Sequence, residues 1–208
     1  MNWSEVKSGL ILIRHGEVSD ESRQLCYGQT DVPLSPNGQQ QSLELARFLS
    51  SLTLKRVYHS GLSRASQVTQ FLSDFSNCEI VCDENLQERN FGAWESQPWD
   101  SIFKNHGEEM MKMISEPDSY RAGGGETTFE HRDRVLNWYK ELDWNACTAA
   151  VTHGGVIAAL LGTIFQKPVS EWLEMIPPYG SLVYIPDRNG LGLRSSLEFR
   201  GLPGSFST

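Results

Sequence analysis

The sequence predicts an α/β fold with a mostly parallel central sheet. Two short apolar runs carry that reading, Leu10-Ile11-Leu12-Ile13 and Thr148-Ala149-Ala150-Val151-Thr152. Neither shows a helical period, and both read as strands buried on two faces. Each runs into a glycine turn, Arg14-His15-Gly16-Glu17 in one case and His153-Gly154-Gly155 in the other. Segments with helical periodicity alternate with such runs, which is the pattern of helices covering a sheet.

In chain order, Val18 to Asp31 is polar without any period and reads as a loop at the mouth of a site. Ser35-Pro36-Asn37-Gly38 is a helix entry, with Ser35 as N-cap and Pro36 at the first helical position. Leu43, Leu45, Ala46, Phe48 and Leu49 continue an amphipathic helix to about Ser51. Arg56-Val57-Tyr58-His59 is a second strand, and Ser60 to Ala65 leads into a helix ending near Leu72. Glu79-Ile80-Val81-Cys82 is a third strand. Residues 97–122 are the least informative. Met110, Met111, Met113 and Ile114 predict helical packing there, Pro117 ends it, and His106 reads as a solvent histidine. Gly123-Gly124-Gly125-Glu126 reads as a flexible connector. Thr127 and Glu130 form a capping box opening a helix to about Leu142, with His131 as a structural residue in its first turn. Val156 to Phe165 is an apolar helix. Ser181 to Ile185 is a strand, and Leu191 to Phe199 is its expected hairpin partner across Asp187-Arg188-Asn189-Gly190. Residues 203–208 read as a frayed tail.

A chain of 208 residues with no repeat or linker is expected to form one domain around one core. The net charge of −8 argues against nucleic-acid or anionic-membrane partners. No apolar run reaches the roughly 20 residues of a membrane span, and the N-terminus lacks a signal-peptide pattern. Cys26, Cys78, Cys82 and Cys147 form no CxxC pair and read as reduced, structural thiols of a cytoplasmic protein. A Cys78–Cys82 regulatory disulfide is the less favoured alternative.

Several stretches resemble the histidine phosphatase superfamily, also called the phosphoglycerate mutase-like family. Arg14-His15-Gly16-Glu17 is similar to its opening motif. Gly28, Asp31, Pro33-Leu34, Ser35 and Gly38 follow in the family's order. Ser63-Arg64-Ala65, Leu86-Gln87-Glu88, Phe91-Gly92-Ala93-Trp94-Glu95 and His153-Gly154 continue the likeness over roughly residues 10–185. It implies a three-layer α/β/α sandwich with a mostly parallel sheet. It also implies a single domain over 1–208, with residues 97–126 as a lid that shapes the substrate pocket. Leu25-Cys26-Tyr27-Gly28 and Phe91 to Glu95 look closest to the α-ribazole phosphatase branch.

The chemistry follows from what the strand ends deliver. Arg14 with His15, then Arg64 in the first turn of its helix, then His153 would meet at one sheet edge. Guanidinium groups and a helix N-terminus suit a phosphoryl group. His15 is the expected nucleophile, with one ring nitrogen free and the other donating to a backbone carbonyl. Glu88 matches the family's acid/base carboxylate, and His153 its second histidine. Arg14, Arg64, His153 and Gly154 are the expected phosphate contacts. No metal or cofactor is expected, because Arg14, Arg64 and His153 would supply the countercharge. Gln29, Thr30, Glu126 and Glu21 are expected to shape the substrate site. Glu126 could orient a substrate or hold a site arginine. Glu21 stands where relatives often carry asparagine, and a carboxylate there would repel phosphate unless it turns away.

The expected activity is phosphomonoester hydrolysis through phosphohistidine on a small-molecule substrate, α-ribazole 5′-phosphate among the candidates. A cofactor-dependent phosphoglycerate mutase ranks below it, because Phe91 to Ser96 replaces that branch's usual segment. A non-catalytic phospho-ligand sensor is favoured only by Glu21. A metallohydrolase using His15, His153 and Glu88 is disfavoured by the neighbouring arginines. Oligomeric state and pathway are not legible.

Overall fold

The computed structural model describes residues 3–189. Among the described residues five strands form one sheet: β1 (Gly9–Arg14), β2 (Arg56–His59), β3 (Glu79–Cys82), β4 (Cys147–Thr152) and β5 (Leu182–Ile185), in the order β3-β2-β4-β1-β5. The first four run parallel and β5 pairs antiparallel with β1. The expected hairpin partner of β5 and the tail at 203–208 lie outside the described residues.

Alternation along β1 sorts the two faces. Leu10 and Leu12 join Ala150, Val183 and Ile185 in one core. That core is covered by α6 (Thr128–Lys140) and α7 (Gly154–Ile164). Ile11 and Ile13 join Val57, Ala149 and Val151 in the other, under α2 (Pro36–Ser50) and α3 (Ser63–Ser73). The result is a three-layer α/β/α sandwich. A third, smaller cluster holds Cys26, Trp94, Ile102 and Ala122, with Trp99, Met110, Met113 and Tyr120 packed around it. It anchors α4 (Trp99–Met110) and α5 (Lys112–Ser115) beside the loop that leads to Tyr27.

Most expected elements start and stop within a few residues of their sequence-derived bounds. Ser35 caps α2 through the Gly38 N–H, and the Thr127–Glu130 capping box opens α6. One difference lies in the first loop. Asp20–Arg23 forms a single helical turn, α1, capped by Ser19; four residues are too few for a period to show. A second lies in the methionine segment, where the chain breaks at Met111 between α4 and α5 and leaves that side chain exposed. All four cysteines are free thiols. Burial raises Cys26 to about 12 and Cys147 to about 11, as expected of inert structural thiols. No helix of the described residues is long and apolar enough to cross a membrane.

Candidate active site

Ligands of open α/β sheets collect at the carboxyl ends of the parallel strands. Four strands deliver a polar group to that edge here. β1 ends at Arg14 and His15, β2 leads to Arg64 in the first turn of α3, β3 leads to Glu88, and β4 ends at His153. The register pairs Arg14 with Thr152, so the next residues, His15 and His153, stand side by side. Their ring centroids are 5.1 Å apart.

His15 is almost fully buried. Its Nδ1 lies 2.7 Å from the Gly16 carbonyl oxygen. A carbonyl only accepts, so Nδ1 carries the proton and Nε2 keeps its lone pair. Burial, with Arg64 and Arg14 nearby, holds the His15 pKa well below 6.5. The ring is therefore neutral through and below the ordinary histidine range.

The loop that holds His15 is tied to the start of α2. Glu17 accepts from Arg23 at 2.6 Å, from Ser35 Oγ at 3.0 Å and from Asn37 Nδ2 at 3.0 Å. A side chain at Gly38 would strike the Glu17 backbone, and one at Gly16 would strike the Gly38 carbonyl. Only glycine allows these two stretches to lie so close.

Arg64 is completely buried. Its Nη2 donates to the Gly28 carbonyl at 2.6 Å, its Nη1 to the Thr30 carbonyl at 2.9 Å, and its Nε to His153 Nδ1 at 3.3 Å. An acceptor at Nδ1 makes His153 a neutral ring with its proton on Nε2, which lies 2.8 Å from Ser60 Oγ. Burial, then Arg64 and His15, hold the His153 pKa well below 6.5. This corrects one expectation. The positive charge rests on Arg14 and Arg64, and His153 contributes hydrogen bonding. Arg14 donates to the Pro177 carbonyl at 2.7 Å and lies 3.7 Å from the Tyr179 ring centroid. Among the described residues its Nε is buried without a partner.

Glu88 reaches the N-terminus of α7. Its Oε2 accepts the Gly155 N–H at 3.0 Å and its Oε1 accepts its neighbour Arg89 N–H at 2.9 Å. A side chain at Gly155 would collide with this carboxylate, and one at Gly154 would press Ile176 at 2.8 Å and the Arg14 guanidinium at 3.4 Å. The Arg89 guanidinium does not pair with Glu88. It turns inward to the Glu126 carbonyl and to Thr128.

The remaining expected residues divide. Glu126 holds Arg134 at 2.7 Å, and Arg134 donates to the carbonyls of Asn85, Gln87 and Glu88. Glu126 thus fixes the turn that carries Glu88. Gln29 and Thr30 are both tied to Glu95, through the Gln29 N–H at 3.0 Å and the Thr30 N–H and hydroxyl at 2.7 and 2.6 Å. Their loop is thereby held against Arg64. Glu21 is exposed on α1, and among the described residues no partner lies against it.

Sequence reasoning missed Glu95 as the clamp, although it ends a stretch already singled out by its motif. It also missed Tyr27 and Tyr179, whose hydroxyls meet at 3.0 Å, with Tyr179 beside His15 and Tyr27 under Arg64. Nothing in the local sequence marks Tyr179, which lies in the loop between Pro178 and Gly180. Among the described residues no group of three or more His, Cys, Asp or Glu side chains is placed to hold a metal ion.

The sheet edge of this α/β fold gathers two histidines, two arginines and a carboxylate, a set suited to an anionic ligand. The chain belongs to the histidine phosphatase superfamily (branch 1), whose family model matches residues 10–191. A protein of Salmonella choleraesuis (strain SC-B67), described as a probable phosphoglycerate mutase GpmB, is 28% identical over 166 residues, 78% of this chain and 76% of its own. Bacillus stearothermophilus YhfR superposes with a TM-score of 0.75 at 26% identity, over 85% of this chain and 89% of its own. The α-ribazole phosphatase of Shigella flexneri does so with a TM-score of 0.70 at 22% identity, over 86% of this chain and 91% of its own. At that identity the likeness is one of fold.

Proposed function

We propose that this protein hydrolyses small-molecule phosphomonoesters through a covalent phosphohistidine on His15. One observation carries the reading: Nδ1 of His15 is pinned to the Gly16 carbonyl, so the Nε2 lone pair is free beside Arg14 and Arg64. In the first step Nε2 attacks phosphorus and the ester P–O bond breaks. Glu88, in its acid form, gives its proton to the leaving oxygen. In the second step Glu88 takes a proton from water as that water attacks phosphorus. The P–N bond breaks and inorganic phosphate leaves. Arg14, Arg64, His153 and the N-terminus of α7 at Gly154 face the charge that spreads over the phosphoryl oxygens. The residues present ask for no metal or cofactor in this scheme. Residues 97–126 act as the pocket-shaping insertion, supported by the packing of α4 and α5 on Cys26 and Trp94. A cytoplasmic location is consistent with four free cysteines.

Glu88→Gln tests the acid role. It keeps an acceptor for the Gly155 N–H but cannot give up a proton. The expected loss is about 10²-fold in kcat/KM for alkyl phosphates and under about tenfold for p-nitrophenyl phosphate, whose leaving group needs little protonation. Equal losses on both would show that Glu88 is not the acid.

A second reading, phosphoglycerate mutase, is favoured by the description carried by the 28%-identical relative. A substrate panel separates the two. It contains α-ribazole 5′-phosphate, because Leu25 to Gly28 and Phe91 to Glu95 resemble that branch, and 3-phosphoglycerate with 2,3-bisphosphoglycerate. Release of inorganic phosphate from panel members is expected. Bisphosphoglycerate-dependent exchange of 3- and 2-phosphoglycerate without phosphate release would favour the mutase.

A further inference from the structure

His131 has no part in the two steps above, and α6 buries it directly behind Glu88. Its side chain is 5% exposed. Its Nε2 is closed off from solvent, has no hydrogen-bond partner among the described residues, and lies 3.8 Å from Glu88 Oε1. A buried polar atom left without a partner is costly, so a partner in some state of the cycle is expected of it. Glu88 is the group it faces.

The other groups that meet Glu88 are donors. They are the N–H groups of Arg89 and Gly155, which occupy one lone pair on each carboxylate oxygen. Donors favour the carboxylate, whereas the first chemical step needs the carboxylic acid. The acid form requires an acceptor for its O–H, and an imidazole lone pair supplies one.

We propose that His131 is a positioning residue whose Nε2 accepts the hydrogen bond from the protonated Glu88 carboxyl and so holds the catalytic acid in its proton-bearing form. The contact has to shorten by under about 1 Å to reach hydrogen-bond length. The inference rests on the phosphohistidine reading. Charged and titratable groups face His131 from each neighbouring element: Glu88 and Arg89 from the segment after β3, Arg134 from α6, and His153 from the β4–α7 junction. Burial first, then Arg134 and Arg89, disfavour an imidazolium at this position. The shared proton therefore stays on the carboxyl oxygen. It leaves with the departing alkoxide, and the O–H···Nε2 bond breaks. The proton taken from water restores it, so one proton enters and one leaves per turnover.

The test compares the native chain with His131→Val and His131→Gln, using glycerol phosphate and p-nitrophenyl phosphate. Valine removes the acceptor, while the glutamine carbonyl restores one. His131→Val is expected to lose about tenfold or more on glycerol phosphate and under about twofold on p-nitrophenyl phosphate. The alkaline limb of its pH profile should move to lower pH, because the Glu88 acid is held less well. His131→Gln should recover part of both effects. An unchanged alkyl-to-aryl ratio and alkaline limb in a folded His131→Val would overturn the proposal. If the valine chain does not fold, the glutamine variant and the ring ¹⁵N shifts of His131 in the native chain decide. A proton on Nδ1 supports the assignment, and a proton on Nε2 overturns it. Failure of the native chain to form a phosphoenzyme from p-nitrophenyl phosphate sinks the His15 reading and this proposal together. An unchanged ratio in a chain that does form one sinks the proposal alone.

Discussion

Replacing His15 with alanine is expected to lower kcat by on the order of 10⁴-fold or more, for every phosphomonoester that the native chain turns over. Removal of the nucleophile leaves the arginines and the α7 N-terminus able to bind phosphate, so binding of inorganic phosphate should survive better than turnover. Acid quenching is unsuited to trapping the intermediate, since phosphohistidine is acid-labile and base-stable. Denaturation at alkaline pH during turnover should retain phosphate on the native chain and none on His15→Ala. The substitution removes the Nδ1–Gly16 bond but keeps the ties of Glu17 to Ser35 and Asn37 that hold the loop between β1 and α2. The fold should therefore persist, which thermal melting checks. A folded His15→Ala with full activity would end the mechanism.

Arg64→Lys is the second large effect. The charge is kept but the fork is lost. The guanidinium serves three separate acceptors, the Gly28 and Thr30 carbonyls and His153 Nδ1. A single ammonium at the end of a flexible stem cannot reach all of them while also facing a phosphoryl oxygen. The expected loss in kcat/KM is about 10³-fold, roughly 4 kcal/mol of transition-state stabilisation. Inhibition by inorganic phosphate should weaken in the same variant. A loss of under about tenfold with unchanged phosphate inhibition would mean that Arg64 holds the 28–30 loop and does no more.

Much of the site was legible because strand ends in this fold carry their chemistry next to glycine. Leu10 to Ile13 and Thr148 to Thr152 are apolar without a helical period, and each is followed by a histidine beside a glycine. That local pattern places His15 and His153 at one sheet edge. Arg64 and Glu88 depended on motif likeness, since an arginine in a helical turn or a glutamate in a loop has no local mark of function. What sequence could not show is made by long-range contacts. Glu95 clamps Gln29 and Thr30 from some 65 positions away, and Tyr27 meets Tyr179 across 152. His131 reads as a structural residue from its place in the first turn of a capped helix. Only the packing of α6 against the turn after β3 shows that it backs Glu88. The four-residue α1 leaves no mark in the sequence because a single turn is too short for the 3.6-residue period to repeat.

The buried, uncharged state of the histidine cluster also sets how the chain responds to acid. His15, His131 and His153 each have a folded pKa well below the value of 6.5 expected when unfolded, chiefly through burial. Between those two limits the unfolded chain binds protons that the folded chain refuses. Each such histidine contributes stability that is fully present above pH 6.5 and is lost as pH falls toward the folded pKa. The slope is about 1.4 kcal/mol per pH unit for each proton taken up. Melting temperature should drop steeply on acidification from neutral pH, and a flat profile would show that the three rings are not refusing protons together. A site kept neutral for nucleophilic attack thus makes unfolding a proton-consuming reaction, and the protein acid-labile.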